Sequence, residues 1–149
     1  MNSATSGYLE KWGFLPLRCV VALVFLMHGG QKILYFGVSG VTDMLTKLGF
    51  AYPAFFAVLL IIIELAGGLA ILFGFYARAA GLVLAVEMVI AIYVARLGGG
   101  FFTPYGFEFE LTLMGACLTF AAVGAGGASV DELVRRRRAP TGKEAVVNS

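Results

Sequence analysis

Four long apolar stretches, separated by short polar segments, dominate the chain. They cover about residues 12–35, 52–74, 78–97 and 107–125. A helix that crosses a bilayer needs about 20 predominantly apolar residues. Because no water reaches a backbone at that depth, such segments must form helices, which satisfy their own hydrogen bonds. We therefore predict an all-α fold, a bundle of four transmembrane helices.

The polar ends of the chain complete the predicted organisation. Residues 1–11 form an N-terminal cytoplasmic segment, 12–130 the membrane domain, and 131–149 a basic, partly disordered cytoplasmic tail. Both termini are predicted to be cytoplasmic because Lys and Arg collect on the side that they share. The basic residues of that side are Lys11, Arg18, Arg78, Arg135 to Arg138 and Lys143.

Two connections stand out between the predicted helices. The stretch from Phe36 to Ala51 is the longest of them. The segment 98–106, GGGFFTPYG, is rich in glycine and aromatic residues. We expect it to fold back onto the bundle as a lid.

Composition supports a membrane protein and excludes other classes. The chain is 60% hydrophobic and 13% charged, whereas a soluble domain carries about 25% charged residues. We expect a multi-pass protein of the cell inner (cytoplasmic) membrane, with the lipid bilayer as its first partner. The net charge is +2, and the one basic block, Arg135 to Arg138, lies outside the apolar part. Nucleic acid is therefore excluded as a partner.

Small residues recur at four-residue spacing in the third and fourth stretches. They are Ala77, Gly81 and Ala85, followed by Cys117, Ala121 and Ala125. This spacing lets two helix backbones approach closely. The two cysteines, Cys19 and Cys117, lie far apart in apolar runs, so we interpret both as packing residues.

Ionisable residues inside the apolar stretches are the candidates for chemistry, because each costs several kcal/mol unless it is paired or neutralised. His28, Gln31 and Lys32 share one face of the first helix by their i, i+3, i+4 spacing. The other candidates are Glu64 and Glu87, near the middle of the second and third stretches, and Glu108 and Glu110, at the outer entrance of the fourth.

Charge balance leaves two interpretations of this set open. Lys32 and Arg18 can offset Glu64 and Glu87, and Arg96 lies near Glu108 or Glu110. Such pairs either fix only how the helices pack, or they exchange protons at a carboxyl group whose environment disfavours ionisation. We assign Arg18, Arg96 and Glu110 to structural ion pairs.

His28 is either a hydrogen-bonded helix contact or a partner for a quinone carbonyl or proton relay. One histidine cannot supply both axial ligands of a bis-histidine haem. A carboxylate di-iron centre in a helical bundle uses Glu-x-x-His pairs, and the sequence has none. We therefore predict no metal site.

The sequence resembles the DoxX family of small four-helix membrane proteins over about residues 14–132. The matching residues are Arg18, Phe25, His28-Gly29 and Gln31-Lys32; Glu64 to Gly68; Arg78-Ala79; Gly100 to Phe102; Gly106 to Glu108; Gly124 to Gly126; and Ser129 to Asp131. Members resemble membrane subunits of oxidoreductase systems, and relatives include the membrane subunit of a thiosulfate:quinone oxidoreductase. The resemblance implies a recurrent polar set of Arg18, His28, Gln31, Lys32, Glu64 and Glu108, to which depth and charge add Glu87.

These observations lead to the hypothesis of a quinone-interacting membrane subunit, although the sequence does not decide whether it is an enzyme. His28, Lys32, Glu64 and Glu87 are the candidate catalytic residues. The candidate quinone-binding residues are His28, Gln31, Lys32, Glu108, Phe101 and Phe102. Quinone is the candidate cofactor, with none bound covalently, and a redox protein and a second copy of the chain are candidate partners.

Two other functions remain open from the sequence. A small-solute or proton-coupled transporter or channel would line its path with the same carboxylates. A non-catalytic scaffold would recruit a redox partner through the glycine-rich faces and the basic tail.

Overall fold

A computed structural model of the protein describes residues 12–102 and 104–138. All regular elements in these residues are helical. The α-helices are α1 (Leu15–Gln31), α2 (Gly37–Lys47), α3 (Pro53–Phe73), α4 (Ala77–Ala91), α5 (Glu108–Val123) and α6 (Val130–Arg138). A wide π-helical turn, Lys32–Phe36, joins α1 to α2, and a second, Ile92–Arg96, extends α4 into the 3-10 turn Leu97–Gly99.

Helix α2 lies in the stretch where the sequence predicted a connection. The helical path runs through 33 residues, Leu15–Lys47, and turns at Gly37, whose φ of +66° favours glycine. Val41 and Leu45 are buried against Ala57 and Ile61 of α3. Because these apolar positions recur at helical spacing, α2 packs along α3 as a second short helix.

Neighbouring helices run antiparallel around one core. Helix α1 packs against α3, α3 against α4, α4 against α5, and α5 makes a smaller contact with α1. The largest fully buried side chains include Phe25 of α1, Leu84 of α4 and Phe120 of α5. The polar candidates are therefore carried by helices that surround a single interior.

Large apolar side chains cover the outside of this bundle. Leu23, Ile62 and Val86 are all more than half exposed, an arrangement that suits contact with lipid. Within residues 12–102 and 104–138, three helices are long and apolar enough to cross a membrane: Leu15–Lys47, Pro53–Phe73 and Ala77–Gly99. Helix α5 has 16 residues, so three spans are established by length and composition.

The predicted close approach of the third and fourth stretches is confirmed. A Cβ on Gly81 of α4 would lie 2.6 Å from the carbonyl oxygen of Cys117 and 2.9 Å from the amide nitrogen of Ala121. Both contacts are with main-chain atoms of α5. The absence of a side chain at Gly81 therefore sets the distance between the two helices.

Helix α6 occupies the start of the segment predicted as a partly disordered tail. Ser129 caps it, because the Ser129 Oγ accepts a hydrogen bond from the backbone N–H of Glu132 at 3.2 Å. The carboxylate of Asp131 accepts hydrogen bonds from the N–H groups of Tyr76 and Ala77, at 2.8 and 3.0 Å, at the start of α4. The remainder of the predicted tail, 139–149, and the predicted N-terminal segment 1–11 lie outside the described residues.

Candidate functional site

Lys32 and Glu64 form an ion pair between α1 and α3. The Lys32 Nζ lies 2.7 Å from both the Oε1 and the Oε2 of Glu64. The side chain of Glu64 is 5% exposed and that of Lys32 is 15% exposed. Glu64 stands near the middle of the 21-residue helix α3, so the pair lies deep within an apolar span.

Glycine brings these two helices close enough for the pair to form. A Cβ on Gly29 of α1 would lie 2.8 Å from the Cγ of Leu65 and 3.2 Å from the Cβ of Glu64. Lys32 follows Gly29 by three residues and so lies on nearly the same face of α1. The close approach at Gly29 therefore places the ammonium group of Lys32 over the carboxylate of Glu64.

Glu87 of α4 lies beside this pair, near enough for its carboxyl group to interact electrostatically with that of Glu64. Two carboxylates repel each other, so this proximity favours a proton on one of them. Because Lys32 contacts both oxygens of Glu64, Glu64 is the ionised partner and Glu87 holds the proton. We call Lys32, Glu64 and Glu87 the polar cluster.

The surroundings of Glu87 hold its proton away from water. Glu87 is 8% exposed, and its Oε2 has no hydrogen-bond partner within residues 12–102 and 104–138. The fully buried Cys117 of α5 lies close enough for an electrostatic interaction with it. The cluster therefore combines one ammonium group with two buried carboxyl groups in a largely apolar interior.

His28 and Gln31 do not join Lys32 in the interior, although the three share a broad face of α1. Both are exposed. Positions i, i+3 and i+4 spread over about 100° of a helix surface, so Lys32 reaches inward at one edge while Gln31 faces outward at the other. The His28 ring lies 5.9 Å from the Phe109 ring of α5, measured between centroids. Sequence reasoning did not select Phe109, because a single phenylalanine in an apolar helix gives no signal.

Arg96 and Glu110 form a second ion pair, at the end of α4 where the 98–106 loop begins. The Arg96 Nε lies 2.9 Å from the Glu110 Oε1, and the Arg96 Nη1 donates to the Pro104 carbonyl at 3.4 Å. The structure thus brings together Arg96 and one of the two acidic candidates. Glu108, the other, is half-buried at the first position of α5.

The 98–106 loop folds largely on itself. The N–H groups of Phe107 and Glu108 donate to the carbonyls of Gly100 and Phe101. The candidate rings of Phe101 and Phe102 are 47% and 75% exposed. Phe101 packs edge-on against Phe107, with 5.4 Å between the ring centroids. The two candidate rings therefore stand at the surface and not over the polar cluster.

Arg18 binds helix ends. It is 2% exposed, and its guanidinium donates four hydrogen bonds, all to main-chain carbonyls. The acceptors are Ile71 at 3.0 Å, Leu72 at 2.6 Å, Ala125 at 3.2 Å and Ala128 at 2.6 Å. Carbonyls at the end of a helix have no partner within the helix. Arg18 thus satisfies carbonyls at the C-terminal end of α3 and just beyond that of α5 at once.

The part of the chain that the structure describes contains no group of three or more His, Cys, Asp or Glu side chains arranged to hold a metal ion. The polar cluster has two carboxylates, and one of them is already bound to Lys32.

An all-helical bundle with apolar outer faces and a buried Lys–Glu pair defines an integral membrane protein with a polar cluster in its interior. The sequence model of the DoxX family matches residues 13–97, and the chain belongs to the DoxX family. The family and the three apolar helices identify it as a multi-pass inner membrane protein.

Several curated proteins are similar over most of the chain. "Inner membrane protein YqjF" of Escherichia coli (strain K12) is 31% identical over 87% of this chain and 97% of its own length. "Putative oxidoreductase CatD" of Bacillus subtilis (strain 168) is 31% identical over 68% of this chain and 72% of its own. An uncharacterized protein of Haemophilus influenzae is 33% identical over 83% of this chain and 93% of its own. No solved structure matches the chain.

Proposed function

We propose that this protein is a quinone-interacting membrane subunit of an oxidoreductase system, in which the polar cluster exchanges protons. The observation that carries the proposal is the buried Lys32–Glu64 ion pair with the buried carboxyl group of Glu87 beside it, inside an apolar bundle. Intramembrane groups of this kind commonly belong to proton relays. The similarity to a protein named as an oxidoreductase supports the redox class.

The exposed edge formed by His28 and Phe109 is where the quinone ring would bind. An imidazole can donate a hydrogen bond to a quinone oxygen, and an aromatic side chain can pack against the ring. His28 lies one helical turn from Lys32 on α1, and it is exposed whereas the side chain of Lys32 is largely buried. A quinone that diffuses in the bilayer would therefore meet His28 first, with the proton-holding cluster behind it.

Reduction of a quinone to a quinol consumes two electrons and two protons. In this proposal a redox partner supplies both electrons, and the carboxyl group of Glu87 delivers the two protons in turn, taking up a proton from water after each transfer. Lys32 remains paired with Glu64 and keeps that carboxylate ionised. The roles of Lys32, Glu64 and Glu87 are thus proton exchange, and that of His28 is quinone contact.

We further propose four membrane crossings, with α5 as the fourth and both termini in the cytoplasm. Helix α5 rises about 24 Å over its 16 residues. Its contacts with α4 extend from Glu110, paired with Arg96, to Ala121, packed on Gly81. It therefore accompanies α4 across nearly the same depth. Alkaline phosphatase fused after Ser149 should be inactive and a fluorescent protein fused there should be bright; the reverse pattern would overturn this orientation.

The test of quinone binding uses full-length protein extracted from membranes in mild detergent. The measurement is the molar ratio of quinone that is purified with the protein, after subtraction of the quinone in co-purified lipid. We expect a ratio near one for the wild type and a loss of about tenfold in His28→Ala and Glu64→Gln. Matched controls are Phe55→Ala, which removes an exposed ring from α3, and Glu132→Gln, which neutralises a carboxylate outside the bundle.

Three outcomes separate the competing functions. Loss of bound quinone in His28→Ala and Glu64→Gln, but not in the two control variants, supports the proposal. No quinone above the lipid background in any sample overturns it, and proton flux into liposomes that contain only this protein would then favour a proton-coupled transporter. If neither bound quinone nor proton flux is found, and the Glu64→Gln variant still assembles with a redox partner, a scaffold would be favoured.

A further inference from the structure

A cleft with three arginines lies at the end of the bundle that contains Arg18, away from the polar cluster. Its volume is about 810 Å³, which is within the range of small-molecule sites. The start of α4, the glycine-rich segment 124–127 and the helix α6 form its walls. Arg78 lies in this cleft together with Arg135 and Arg136.

The two acidic residues of the cleft already accept hydrogen bonds from groups other than Arg78. Asp131 accepts the N–H groups of Tyr76 and Ala77 at the start of α4. Glu132 accepts hydrogen bonds from both Arg135 and Arg136, each at 2.7 Å. These contacts leave the charge of Arg78 without a counter-ion in the cleft.

Arg78 is exposed toward this space. Its side chain makes no hydrogen bond or ion pair with any residue in 12–102 or 104–138, and its Nε would lie 3.5 Å from a Cβ placed on Gly124. A guanidinium has five N–H donors in a planar fork that matches the oxygens of a phosphate. Arg136 uses its Nε on Glu132, and Arg135 uses its Nε and Nη2, so further donors remain on both for a ligand.

The position of the cleft relative to the membrane is given by the residues around it. Phe73, Phe75 and Tyr76 are exposed beside it, and aromatic side chains concentrate where a bilayer meets water. On the other side of α6, Val130 and Leu133 line a smaller, mostly apolar cavity with Leu72, to which Arg18 and Ser129 also contribute. Helix α6 thus separates an apolar space from the basic cleft.

We propose that this cleft binds the phosphate group of an anionic ligand through Arg78, Arg135 and Arg136. Two sources supply such a group at this depth: the headgroup of an anionic phospholipid, or a dissolved phosphate ester. The site is separate from the polar cluster, so loss of phosphate binding and loss of quinone binding are independent results.

The test uses full-length protein in detergent, in two arms. In the first arm, native mass spectrometry measures retained phosphatidylglycerol, with phosphatidylcholine as the zwitterionic comparison. In the second arm, calorimetry measures binding of glycerol 3-phosphate. The site variant is Arg78→Gln. The matched control is Arg137→Gln, which removes the same charge from an exposed position of α6 outside the cleft.

We expect Arg78→Gln to weaken binding about tenfold and Arg137→Gln to leave it within about twofold, since a charged contact is worth one factor of ten or more. Binding of phosphatidylglycerol alone would identify a lipid headgroup as the ligand. Binding of glycerol 3-phosphate alone would identify a dissolved phosphate ester. Binding in neither arm, or equal weakening by the two variants, would overturn the proposal. If Arg78→Gln reduces the yield of folded protein, the double variant Arg135→Gln/Arg136→Gln tests the same site, and we expect it to weaken ligand binding as well.

Discussion

The ammonium group of Lys32 contacts both carboxylate oxygens of Glu64 at 2.7 Å, across the interface of α1 and α3. This geometry assigns the negative charge to Glu64 and leaves the neighbouring Glu87 as the group that holds a proton. Charge and proton are therefore divided between two glutamates that are chemically identical. Substitutions that mimic the protonated state of Glu87, or that remove the positive charge beside Glu64, test this assignment.

Glu87→Gln should be tolerated, whereas Lys32→Met should be strongly destabilising. The amide of the introduced glutamine can donate a hydrogen bond to Glu64, as a protonated Glu87 can. Removal of Lys32 leaves Glu64 buried without its counter-ion, which costs about 3 kcal/mol. Reversible unfolding in mixed micelles measures both free energies of unfolding, and we expect a change below about 1 kcal/mol for Glu87→Gln. Equal destabilisation by the two variants would contradict the assignment of the proton to Glu87.

Arg18→Gln should destabilise the bundle by at least about 3 kcal/mol, because four carbonyls lose a charged donor in a buried site. A glutamine has two N–H donors and a shorter side chain. The midpoint of thermal unfolding in detergent is the measurement, with Arg137→Gln as the control at an exposed position. An unchanged midpoint for Arg18→Gln would show that water satisfies these carbonyls equally well.

Gly81→Ala and Gly115→Ala should have opposite effects on stability, although each adds one methyl group to a helix. The methyl group at Gly81 meets main-chain atoms of α5 at 2.6 and 2.9 Å, whereas nothing lies within 4 Å at Gly115. Overpacking of this kind costs about 1 to 3 kcal/mol, and alanine favours a helix over glycine by about 1 kcal/mol. Thermal unfolding of the pair under identical conditions is the test. If Gly81→Ala were as stable as Gly115→Ala, the close contact would not limit the helix separation.

Glu132 should titrate below the usual range for glutamate. Hydrogen bonds from Arg136 and then Arg135 lower the pKa of its carboxyl group from the ordinary value of 4.5. A group with a lowered pKa in the folded state stabilises that state above its unfolded pKa, and this contribution is lost as the pH falls through the folded pKa. The contact between Glu132 and the two arginines should therefore persist to below pH 4.5 and be lost as the pH falls through the lowered pKa of Glu132.

Carbon-detected NMR of the glutamate side chains measures this titration directly. The midpoint for Glu132 should rise toward 4.5 in Arg136→Gln, since the largest cause of the lowered pKa is then removed. A midpoint at or above 4.5 in the wild type would mean that the arginines do not hold this carboxylate in solution.

Much of the bundle was predictable because hydrophobicity and small-residue spacing are local signals. The long apolar runs predicted α3 and α4 within a few residues, and the spacing of Gly81 and Cys117 predicted the close contact of α4 with α5. Helix α2 was not predicted, because Gly37 and the polar residues of this segment resemble a connection. Its two buried residues, Val41 and Leu45, became visible as a helical face only once α3 was placed beside them.

The residue types of the candidate site were predictable from the sequence, but the directions in which their side chains point were not. Depth and charge selected Lys32, Glu64 and Glu87, and the structure brings these three together. The same spacing suggested that His28 would lie with Lys32, but a helix face about 100° wide includes both an inward and an outward direction. Asp131 was missed as a cap of α4, because its acceptor role depends on a contact 54 and 55 residues away along the chain.

Arg18 joins the beginning and the end of the chain, since its acceptors at Ala125 and Ala128 follow it by 107 and 110 residues. During synthesis, this arginine enters the membrane long before those carbonyls exist. An uncompensated arginine is costly within the hydrocarbon, so the first helix completes its burial only after nearly the whole chain has been inserted. The hydrogen bonds of Arg18 therefore depend on both the first and the last helices of the bundle, and a chain that ends before Ala125 lacks two of its four acceptors.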